Sequence, residues 1–586
     1  MAFQPRFLEM VTVLAETVAR HGGRPAFGVR GAGGRWAWTS WSELAALVDG
    51  FRSALVDLGV GAGDRVAVIA NNRIEWVVGC YATFGRGAAY VPMYESMLDR
   101  DWQHVLDDCG ARVCLVANEG IERRVAALRP DVRQVVLDRD FASLVAHGRA
   151  RPVPTAIPDP NDIAYFIYTS GTTGRPKGVR LAHRNIAANI QAVDEVLPRR
   201  ADDVTLAFLP WAHVAGGSTE LQGNVYAGTA TAICEKTDWL LEALGEVRPT
   251  VLFAVPRVWN KIYDSLGKQL AAKPRPIQAL YDAARRAHRE RRAGRAPSFG
   301  DRVAFVMAKR LIFSKVAARF GGRLRLTGSG AAALSPEVAE LVDCIGVPFC
   351  EVYGMTEVSS LATVTPQRAA RFGAVGKALP GVSIRIEPVD GDPAQGGEVI
   401  IHGHGVMAGY HNLPEETARA LTPDGGIRSG DLGRLDADGY LYITGRVKEI
   451  YKLENGKYVS PAPIEERIAL SPFVSQCMVH GHNRPHNVAI LVPDLTALRK
   501  WAAANQVPAA DVASLLAEPR VRELYARELA ERQADRSYER VGDFLLVAEE
   551  FTIANDLLTP TFKVKRRAVI ARYEAELDGL YRGRGV

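Results

Sequence analysis

Short apolar runs rich in β-branched residues alternate with segments of helical spacing through the first half of the chain. One pair is the run "DRVAVIA", Asp64 to Ala70, and the helical stretch Ile74 to Phe84 that follows it. Further runs of this kind are "AAYVPMY", "ARVCLVA", "VRQVVLD", "VTLAFLP", "TATAIC", "TVLFAVP" and "RLRLTGSG". This alternation predicts an α/β fold in which parallel sheets are covered by helices.

The pattern changes in the second half of the chain. From about Gly373 to Gly445, short strands are separated by Gly and Asp turns, which predicts a small antiparallel, β-barrel-like unit. A charged junction, "GRVKEI", then leads into a tail with its own mixed pattern. Because 586 residues exceed what one hydrophobic core organises, we expect a large N-terminal domain at 1–445 and a smaller α+β C-terminal domain at 446–586.

Composition limits the class of protein. The net charge is +6, and no run approaches the roughly 20 apolar residues that span a bilayer. The first residues carry Glu9 and Glu16 among apolar side chains, which predicts an amphipathic helix and not a signal peptide. The seven cysteines are scattered without a CxxC pair, so we expect a reducing, cytoplasmic location. No nucleic-acid-binding motif is present, and we expect no nucleic-acid partner.

The loop "YTSGTTGRPKGV", residues 168–179, combines glycines, hydroxyl side chains and Lys177. Such loops bind phosphate groups, because backbone N–H groups approach the anion and the lysine adds positive charge. A P-loop requires GxxxxGK followed by Ser or Thr. Here Arg-Pro separates Gly174 from Lys177, and Pro176 disfavours a helical residue before it. The P-loop is therefore excluded, while kinase, ATPase, nucleotide-binding module, ligase and a plain mobile turn remain open.

The full string "TSGTTGRPKG" resembles the signature of the AMP-forming acyl-CoA synthetases, within the adenylate-forming superfamily. In that family, the hydroxyls and the lysine of this loop hold the departing β- and γ-phosphates of ATP. The ATP-binding residues that the resemblance implies here are Thr169, Ser170, Gly171, Thr172, Thr173, Gly174 and Lys177. Thr172 is also implied as a ligand of Mg²⁺.

The segment "YGMTE" resembles the adenylate-site segment of the same family. The resemblance implies that Tyr353, followed by Gly354, covers the adenine. It further implies that Thr356 contacts the α-phosphate and the carboxylate, and that Glu357 holds Mg²⁺. The residue types suit these roles, because aromatic rings stack on flat bases and hard cations prefer oxygen ligands.

Other stretches complete the implied nucleotide and acyl site. "SGDLG" supplies Asp431 and "GRVKE" supplies Arg446, both implied to bind the ribose. "LPWAHVAGG" is implied to border the acyl pocket, with His213 near the reacting carboxylate, although a lone histidine is as often structural. The small residues after His213 are expected to leave room for an acyl chain. The stretch implied to line the adenine consists of Gly328, Ser329, Gly330, Ala331 and Ala332.

The stretch "LLTPTFKVKRR" resembles the final motif of the family, whose lysine bridges the carboxylate and the α-phosphate. The match places Lys563 there. The commoner form has Ser-Gly where this chain has Thr561-Phe562, so Lys565 remains an alternative. The resemblance also implies a mobile C-terminal domain that swings about a hinge at 446–449, which contains Lys448. Gly456, in "KLENGKYVSP", is implied to line the coenzyme A channel.

The forms "LTPTxKxKR" and "PTVLFAVPRVWNKIYD" resemble the long-chain fatty acyl-CoA synthetases in particular. This implies a ligase that uses ATP, Mg²⁺ and coenzyme A to convert a fatty acid, through acyl-AMP, into acyl-CoA. Three alternatives remain: a ligase that loads a carrier protein, a CoA ligase for an aryl or other non-fatty acid, and a non-catalytic nucleotide-binding protein.

The segment 285–325 is strongly basic and contains "VAFVMAKRLIFSKVAARF", with apolar residues at helical spacing. Such a helix suits a peripheral contact with an anionic membrane. It equally suits a helix packed on its own domain with a solvated basic face. The sequence gives no indication of the oligomeric state.

Overall fold

The computed structural model describes residues 3–169, 175–330, 332, 334–366, 369–389, 396–508, 510–534 and 536–582. Its strands are β1 (Pro25–Arg30), β2 (Trp36–Ser40), β3 (Arg65–Ile69), β4 (Ala89–Met93), β5 (Val113–Val116), β6 (Arg133–Val136), β7 (Ile163–Thr169), β8 (Lys177–Ala182), β9 (Val204–Ala207), β10 (Ala230–Ile233), β11 (Val251–Ala254), β12 (Leu326–Ser329), β13 (Phe349–Tyr353), β14 (Thr363–Val364), β15 (Lys377–Ala378), β16 (Val382–Glu387), β17 (Gly397–Gly403), β18 (Gly409–Tyr410), β19 (Ile427–Leu435), β20 (Leu441–Arg446), β21 (Tyr451–Lys452), β22 (Tyr458–Val459), β23 (Val474–His480), β24 (Asn487–Pro493) and β25 (Val541–Leu546).

The helices are α1 (Met10–His21), α2 (Trp41–Asp57), α3 (Ile74–Phe84), α4 (Asp99–Cys109), α5 (Glu119–Leu128), α6 (Leu137–Arg149), α7 (His183–Val196), α8 (Gly223–Ala227), α9 (Leu240–Val247), α10 (Pro256–Ala271), α11 (Arg275–Arg292), α12 (Phe299–Ala308), α13 (Ser314–Ala318), α14 (Pro336–Ile345), α15 (Pro414–Ala420), α16 (Pro461–Ile468), α17 (Leu495–Ala504), α18 (Val512–Ala517), α19 (Pro519–Glu531), α20 (Arg566–Arg572) and α21 (Glu574–Arg582). π-Helical segments span Ala215–Gln222 and Lys309–Phe313, and a 3₁₀ turn spans Thr356–Val358.

Two large sheets with parallel centres form the N-terminal part. The nine-stranded sheet has the order β15-β14-β13-β12-β11-β9-β10-β1-β2, and the seven-stranded sheet has the order β18-β8-β7-β4-β3-β5-β6. Pairing is parallel from β1 through β10, β9, β11 and β12 to β13, and antiparallel at the edges. The predicted α/β class is confirmed, because these central strands are parallel and most of their residues are buried.

The small antiparallel unit is a four-stranded sheet of order β16-β17-β19-β20. Beyond it, a three-stranded sheet, β23-β24-β25, and a two-stranded ribbon, β21-β22, combine with helices α16 to α21 to form a C-terminal unit. This unit has its own apolar clusters, one around Leu491 and Tyr525 and another around Ile490 and Phe551. The boundary between residues 445 and 446 remains a prediction.

The phosphate loop is followed by a strand before the next helix begins. Residues 177–182 form strand β8, and helix α7 begins at His183. Strand β8 pairs antiparallel with β7, with Thr169 opposite Lys177. Val179 and Leu181 are buried between the flanking layers, so their alternation follows a strand and not a helix. The loop therefore connects two antiparallel strands, whereas a P-loop connects a strand to a helix.

Candidate active site

The implied site segments meet at the carboxyl edge of the nine-stranded sheet. The stretches after β9, β12 and β13 begin there, because parallel strands end on the same side. Gly328 and Gly330 allow close approach: a Cβ at Gly328 would lie 2.7 Å from Phe253 Cδ1, and one at Gly330 would lie 2.6 Å from Val352 Cγ2. Between them, the hydroxyl of Ser329 is buried and has no hydrogen-bond partner in the described part of the chain. This edge therefore offers a polar atom to a ligand.

Asp431 is the centre of a three-residue contact. Its Oδ2 accepts a hydrogen bond from the Tyr353 hydroxyl at 2.8 Å, and its Oδ1 lies 2.9 Å from Nε of Arg446. Asp431 and Arg446 are direct partners across strands β19 and β20, so the antiparallel register brings them together. Burial, followed by the charge of Asp431, raises the pKa of Tyr353 well above its usual range, so its hydroxyl is a donor. Three implied nucleotide ligands from distant segments thus share one cleft wall.

Lys177 and Glu357 are linked through Tyr410, which the sequence reasoning missed. The Tyr410 hydroxyl donates to Oε1 of Glu357 at 2.8 Å, and the Lys177 ammonium lies 5.2 Å from the centre of the Tyr410 ring. Lys177 also forms a 2.5 Å ion pair with Glu416 at the start of α15. Pairing of β18 with β8 carries Tyr410 to this place. No local motif indicates Tyr410 or Glu416, since their partners, Glu357 and Lys177, are more than 50 residues away in the sequence.

The backbone after Glu357 is held in an uncommon conformation. Ser359 and Ser360 have φ angles of 62° and 120°, in a region that favours glycine and costs about 1–3 kcal/mol elsewhere. The Ser218 hydroxyl donates to the Ser359 carbonyl oxygen at 2.9 Å, and the hydroxyls of Thr219 and Ser360 are 2.5 Å apart. The buried π-helical segment after His213 is thereby attached to the segment that carries Thr356 and Glu357. These hydrogen bonds join the segment implied to border the acyl pocket to the segment implied to bind the nucleotide.

His213 is a neutral hydrogen-bond donor. Its Nδ1 accepts a hydrogen bond from the Ala215 N–H at 3.2 Å, which leaves the proton on Nε2. Burial, reinforced by the positive charge of Lys563, lowers its pKa to about 4. The glycines that follow leave no room for an acyl chain at their Cβ positions. A Cβ at Gly216 or Gly217 would lie 2.4 Å and 2.5 Å from the carbonyl oxygens of Pro210 and Trp211.

The loop that carries Lys563 closes as a tight turn. Thr559 N–H donates to the Lys563 carbonyl at 2.8 Å, and Lys563 N–H donates to Thr559 Oγ1 at 3.1 Å. Phe562 has a φ of 61°. This is the position where the commoner family form has glycine, so the left-handed backbone agrees with the register that identifies Lys563 as the motif lysine. The ammonium of Lys565 is engaged elsewhere, 2.6 Å from Oδ1 of Asp556.

The ammonium of Lys563 enters the cleft between the two parts of the chain. Although the residue as a whole is exposed, the cleft walls desolvate its ammonium and, with Arg446, lower the pKa of Lys563. Asp431 and Glu357 are near enough to oppose this shift. Lys448 lies in the turn after β20. The pKa of Glu416 is lowered chiefly by Lys177, and the charge of Lys448 is near enough to contribute. Gly456 lies apart, in the turn between β21 and β22, with a φ of 82°.

The remaining implied residues divide into two groups. Thr356 is buried in the 3₁₀ turn before the strained serines, and Gly354 fits closely, since a Cβ there would lie 1.7 Å from the Ser360 carbonyl oxygen. Thr169 ends β7, and Ala332 is exposed after β12. The others, Ser170, Gly171, Thr172, Thr173, Gly174 and Ala331, lie outside the described residues.

The metal-binding potential rests on Glu357. Its side chain is 8% exposed, and a carboxylate beside a phosphate site suits Mg²⁺, which keeps few protein ligands and binds substrate phosphates. Over the described ranges, no group of three or more His, Cys, Asp or Glu side chains is arranged to hold a metal. Glu357 thus fits a metal that arrives with its nucleotide and not a preformed metal cage.

The fold and this cleft define an enzyme of the adenylate-forming class. The chain belongs to the AMP-binding enzyme family: that family matches residues 14–411, and the AMP-binding enzyme C-terminal domain matches residues 448–585. Curated relatives include long chain acyl-CoA synthetase 7, peroxisomal, of Arabidopsis thaliana, which is 31% identical over 94% of this chain and 82% of the relative. Long-chain-fatty-acid–CoA ligase FadD15 of Mycobacterium bovis is 32% identical over 94% of this chain and 93% of its own length.

Solved structures share the fold. The A domain of a carboxylic acid reductase from Segniliparus rugosus, in complex with AMP and a co-purified carboxylic acid, has a TM-score of 0.76. It is 23% identical and covers 98% of this chain and 94% of that one. The anthranilate CoA ligase AuaEII in complex with anthranoyl-AMP has a TM-score of 0.74 at 20% identity, covering 98% and 99%. At such identities the likeness concerns the fold alone.

Proposed function

We propose that this protein is an ATP-dependent long-chain fatty acid–CoA ligase that works through an acyl-AMP intermediate. The observation that carries the proposal is the position of Lys563, which comes from the C-terminal unit and faces His213, Asp431 and Glu357 of the N-terminal part. Relatives of similar length named as long-chain synthetases support the fatty acid as substrate.

In the first step, a carboxylate oxygen attacks the α-phosphorus of ATP, and the bond from that phosphorus to the bridging oxygen breaks to release pyrophosphate. Two anions approach one another, so positive charge fixed between them lowers the barrier. Lys563 supplies that charge, while Nε2–H of His213 orients the carboxylate and Thr356 contacts the α-phosphate. Lys177 and the loop 169–174 hold the leaving pyrophosphate. Bound Mg²⁺ would supply further neutralisation of phosphate charge, with Glu357, and Thr172 from the loop, as ligands.

In the second step, the thiol of coenzyme A attacks the acyl carbonyl, AMP leaves, and the thiol proton passes to solvent. Lys563 has to leave the cleft for the thiol to enter, so the C-terminal unit rotates about the hinge at 446–449, which contains Lys448. Gly456 lies apart from the cleft here, and the rotated arrangement brings it to the coenzyme A channel. The single arrangement seen here is thus assigned to the adenylation step.

The experiment is pyrophosphate exchange across a panel of fatty and aryl acids, followed by AMP release with and without coenzyme A. Exchange that is selective for long-chain acids, with AMP release accelerated by coenzyme A, is the expected result. Exchange with aryl acids alone, or AMP release that only a carrier protein accelerates, would replace the proposal by one of its alternatives. If no acid supports pyrophosphate exchange, the remaining alternative is a non-catalytic nucleotide-binding protein.

We further propose that the enzyme contacts anionic membranes peripherally. Exposed apolar side chains follow one face of the run from α12 to α13: Phe299 at 82%, Val306 at 55% and Leu311 at 49% are examples. From 302 to 336 the chain has no Asp or Glu, and Lys309, Arg310 and others flank the apolar face. Such a face suits an anionic bilayer surface, where fatty acids partition. In the described part of the chain, no helix is long and apolar enough to span a membrane.

Flotation with phosphatidylserine-containing vesicles at physiological salt tests this contact. We expect co-migration that is lost when Val306 and Leu311 are both replaced by Asp. The matched control is Ile157→Asp, which alters an apolar residue that is 70% exposed outside this face. Flotation that survives the double substitution, or that fails for the unmodified protein, contradicts the membrane contact without affecting the proposed reaction. The cytoplasmic location remains a prediction.

A further inference from the structure

One face of helix α4 holds the two strands that the phosphate loop connects. Arg100, His104 and Asp108 are spaced four residues apart and therefore lie on the same face. Asp108 Oδ2 accepts a hydrogen bond from the Tyr168 hydroxyl at 2.6 Å, at the end of β7. His104 Nε2 donates to the Pro176 carbonyl oxygen at 2.9 Å, just before β8. Both strands are thereby fixed to α4.

The N-terminal end of the same face reaches the C-terminal unit. Arg100 Nη2 lies 2.5 Å from Oδ2 of Asp556, whose Oδ1 forms the 2.6 Å pair with Lys565. Lys565 N–H donates to the Leu557 carbonyl oxygen, so Asp556 and Lys565 stand at the base of the turn that presents Lys563. Arg100 thus holds the base of the lysine loop from outside.

Asp556 occupies a left-handed backbone position, with a φ of 63°. Asp and Asn are the side chains that adopt this conformation most readily after glycine, because their short polar groups can bond locally. Here the carboxylate forms ion pairs with both Arg100 and Lys565. The pair with Arg100 is weak enough to open, because 61% of the Arg100 side chain and 40% of the Asp556 side chain are exposed.

We propose that Arg100 and Asp556 are positioning residues for acyl adenylation, and that α4 sets the placement of Lys563 relative to the phosphate loop. This proposal rests on the two-step function proposed above. Neither residue is among those assigned above to substrate binding. Arg100 acts only while the C-terminal unit occupies the arrangement seen here, and the contact breaks when that unit rotates, whereas the Asp556–Lys565 pair moves with it. The ion pair therefore favours the first step and plays no part in the second.

The half-reactions separate this role from a merely structural one. In Arg100→Ala and in Asp556→Gly, we expect the rate of pyrophosphate exchange to fall about two- to five-fold, the range for an exposed ion pair. The KM for ATP should be unchanged, and conversion of supplied acyl-AMP to acyl-CoA should be unchanged or faster. The double variant should be no slower than Asp556→Gly alone, and Arg100→Lys should restore part of the rate. The control is Arg112→Ala, which removes an exposed ion pair to Asp64 within the N-terminal part.

Hydrogen–deuterium exchange of the resting protein gives a readout that needs no substrate. We expect faster amide exchange across residues 552–565 in Arg100→Ala and unchanged exchange in Arg112→Ala. Equal losses in both half-reactions, additive effects in the double variant, or unchanged exchange in this loop would overturn the proposal. If the proposed function itself is wrong, the unmodified protein shows no pyrophosphate exchange. Amide exchange across residues 552–565 can still be compared between Arg100→Ala and the unmodified protein in that case.

Discussion

The ammonium of Lys177 lies 2.5 Å from Oε2 of Glu416, so the lysine implied to hold the leaving phosphates is already neutralised by a carboxylate of α15. This ion pair lowers the pKa of Glu416 below its usual value. A triphosphate can bind Lys177 only by competing with Glu416, which is 32% exposed and able to turn away. Glu416 therefore weakens phosphate binding to Lys177, but only slightly, because its partly exposed side chain can move away.

Replacing Glu416 by Gln should lower the KM for ATP in pyrophosphate exchange. The loss of a partly exposed competing charge corresponds to about 0.2–1 kcal/mol, or about a 1.5- to 5-fold change. Release of pyrophosphate should slow by a similar factor. The neighbouring Glu415→Gln, at a side chain that is 84% exposed, is the control and should leave the KM unchanged. An increase in KM for Glu416→Gln would show that the carboxylate assists the nucleotide.

Replacing Lys563 by Ala should lower pyrophosphate exchange by about two to three orders of magnitude, as expected when a donor to the developing transition-state charge is removed. Conversion of supplied acyl-AMP to acyl-CoA should continue, because this lysine has left the cleft by then. Lys565→Ala is the comparison, and its smaller effect should resemble that of breaking the Asp556 pair. If Lys565→Ala had the larger effect, the assignment between the two lysines would be reversed.

The pH profile of adenylation should show no titration of His213 between pH 5.5 and 8. Its pKa is lowered to about 4, so the imidazole stays neutral through this range. His213→Gln keeps a donor and should preserve the shape of the profile. His213→Ala should raise the KM for the acid by about 10- to 150-fold, which corresponds to the loss of one hydrogen bond to a charged group, about 1.5–3 kcal/mol. A limb of the profile near pH 6.5 that disappears in His213→Gln would contradict a neutral role.

Glu351, buried in β13, should make stability depend on pH. Burial raises its pKa from 4.5 to about 8, with nearby Glu466 adding a like charge. The folded state therefore binds a proton more tightly at Glu351 than the unfolded state does. The stability that this group contributes is fully present below about pH 4.5 and is lost as the pH rises through 8. The free energy of unfolding of the unmodified protein should fall from pH 5 to pH 8.5. In Glu351→Gln this fall should be smaller, by up to a few kcal/mol.

Chemical denaturation at both pH values measures this difference. Glu531→Gln, at a side chain that is 69% exposed, is the control and should keep the full pH dependence. The same dependence in Glu351→Gln would show that another group is responsible.

The sequence alone determined the α/β class, the positions of the central strands and the nature of the chemistry. Each of these features depends on information within a few residues. Apolar runs mark buried strands, and the loop of glycines, hydroxyls and a lysine indicates an anion site. The start of helix α14 is equally local, because the Ser335 side chain accepts a hydrogen bond from the Glu337 N–H. The strand at residues 177–182 was not predicted, because a short apolar alternation beside a helix becomes a strand only when a partner such as β7 is available.

Only the tertiary structure decided which charges meet. The pairs Lys177–Glu416 and Arg100–Asp556 each join residues more than 200 positions apart, and nothing in either local sequence distinguishes them from solvated charges. The same holds for the choice between Lys563 and Lys565, two positions apart in one basic run. One ammonium is committed to Asp556 while the other faces Asp431 and Glu357. Local propensity selects elements over short range, whereas electrostatic partners are selected by the folded chain, which brings distant segments within hydrogen-bonding distance.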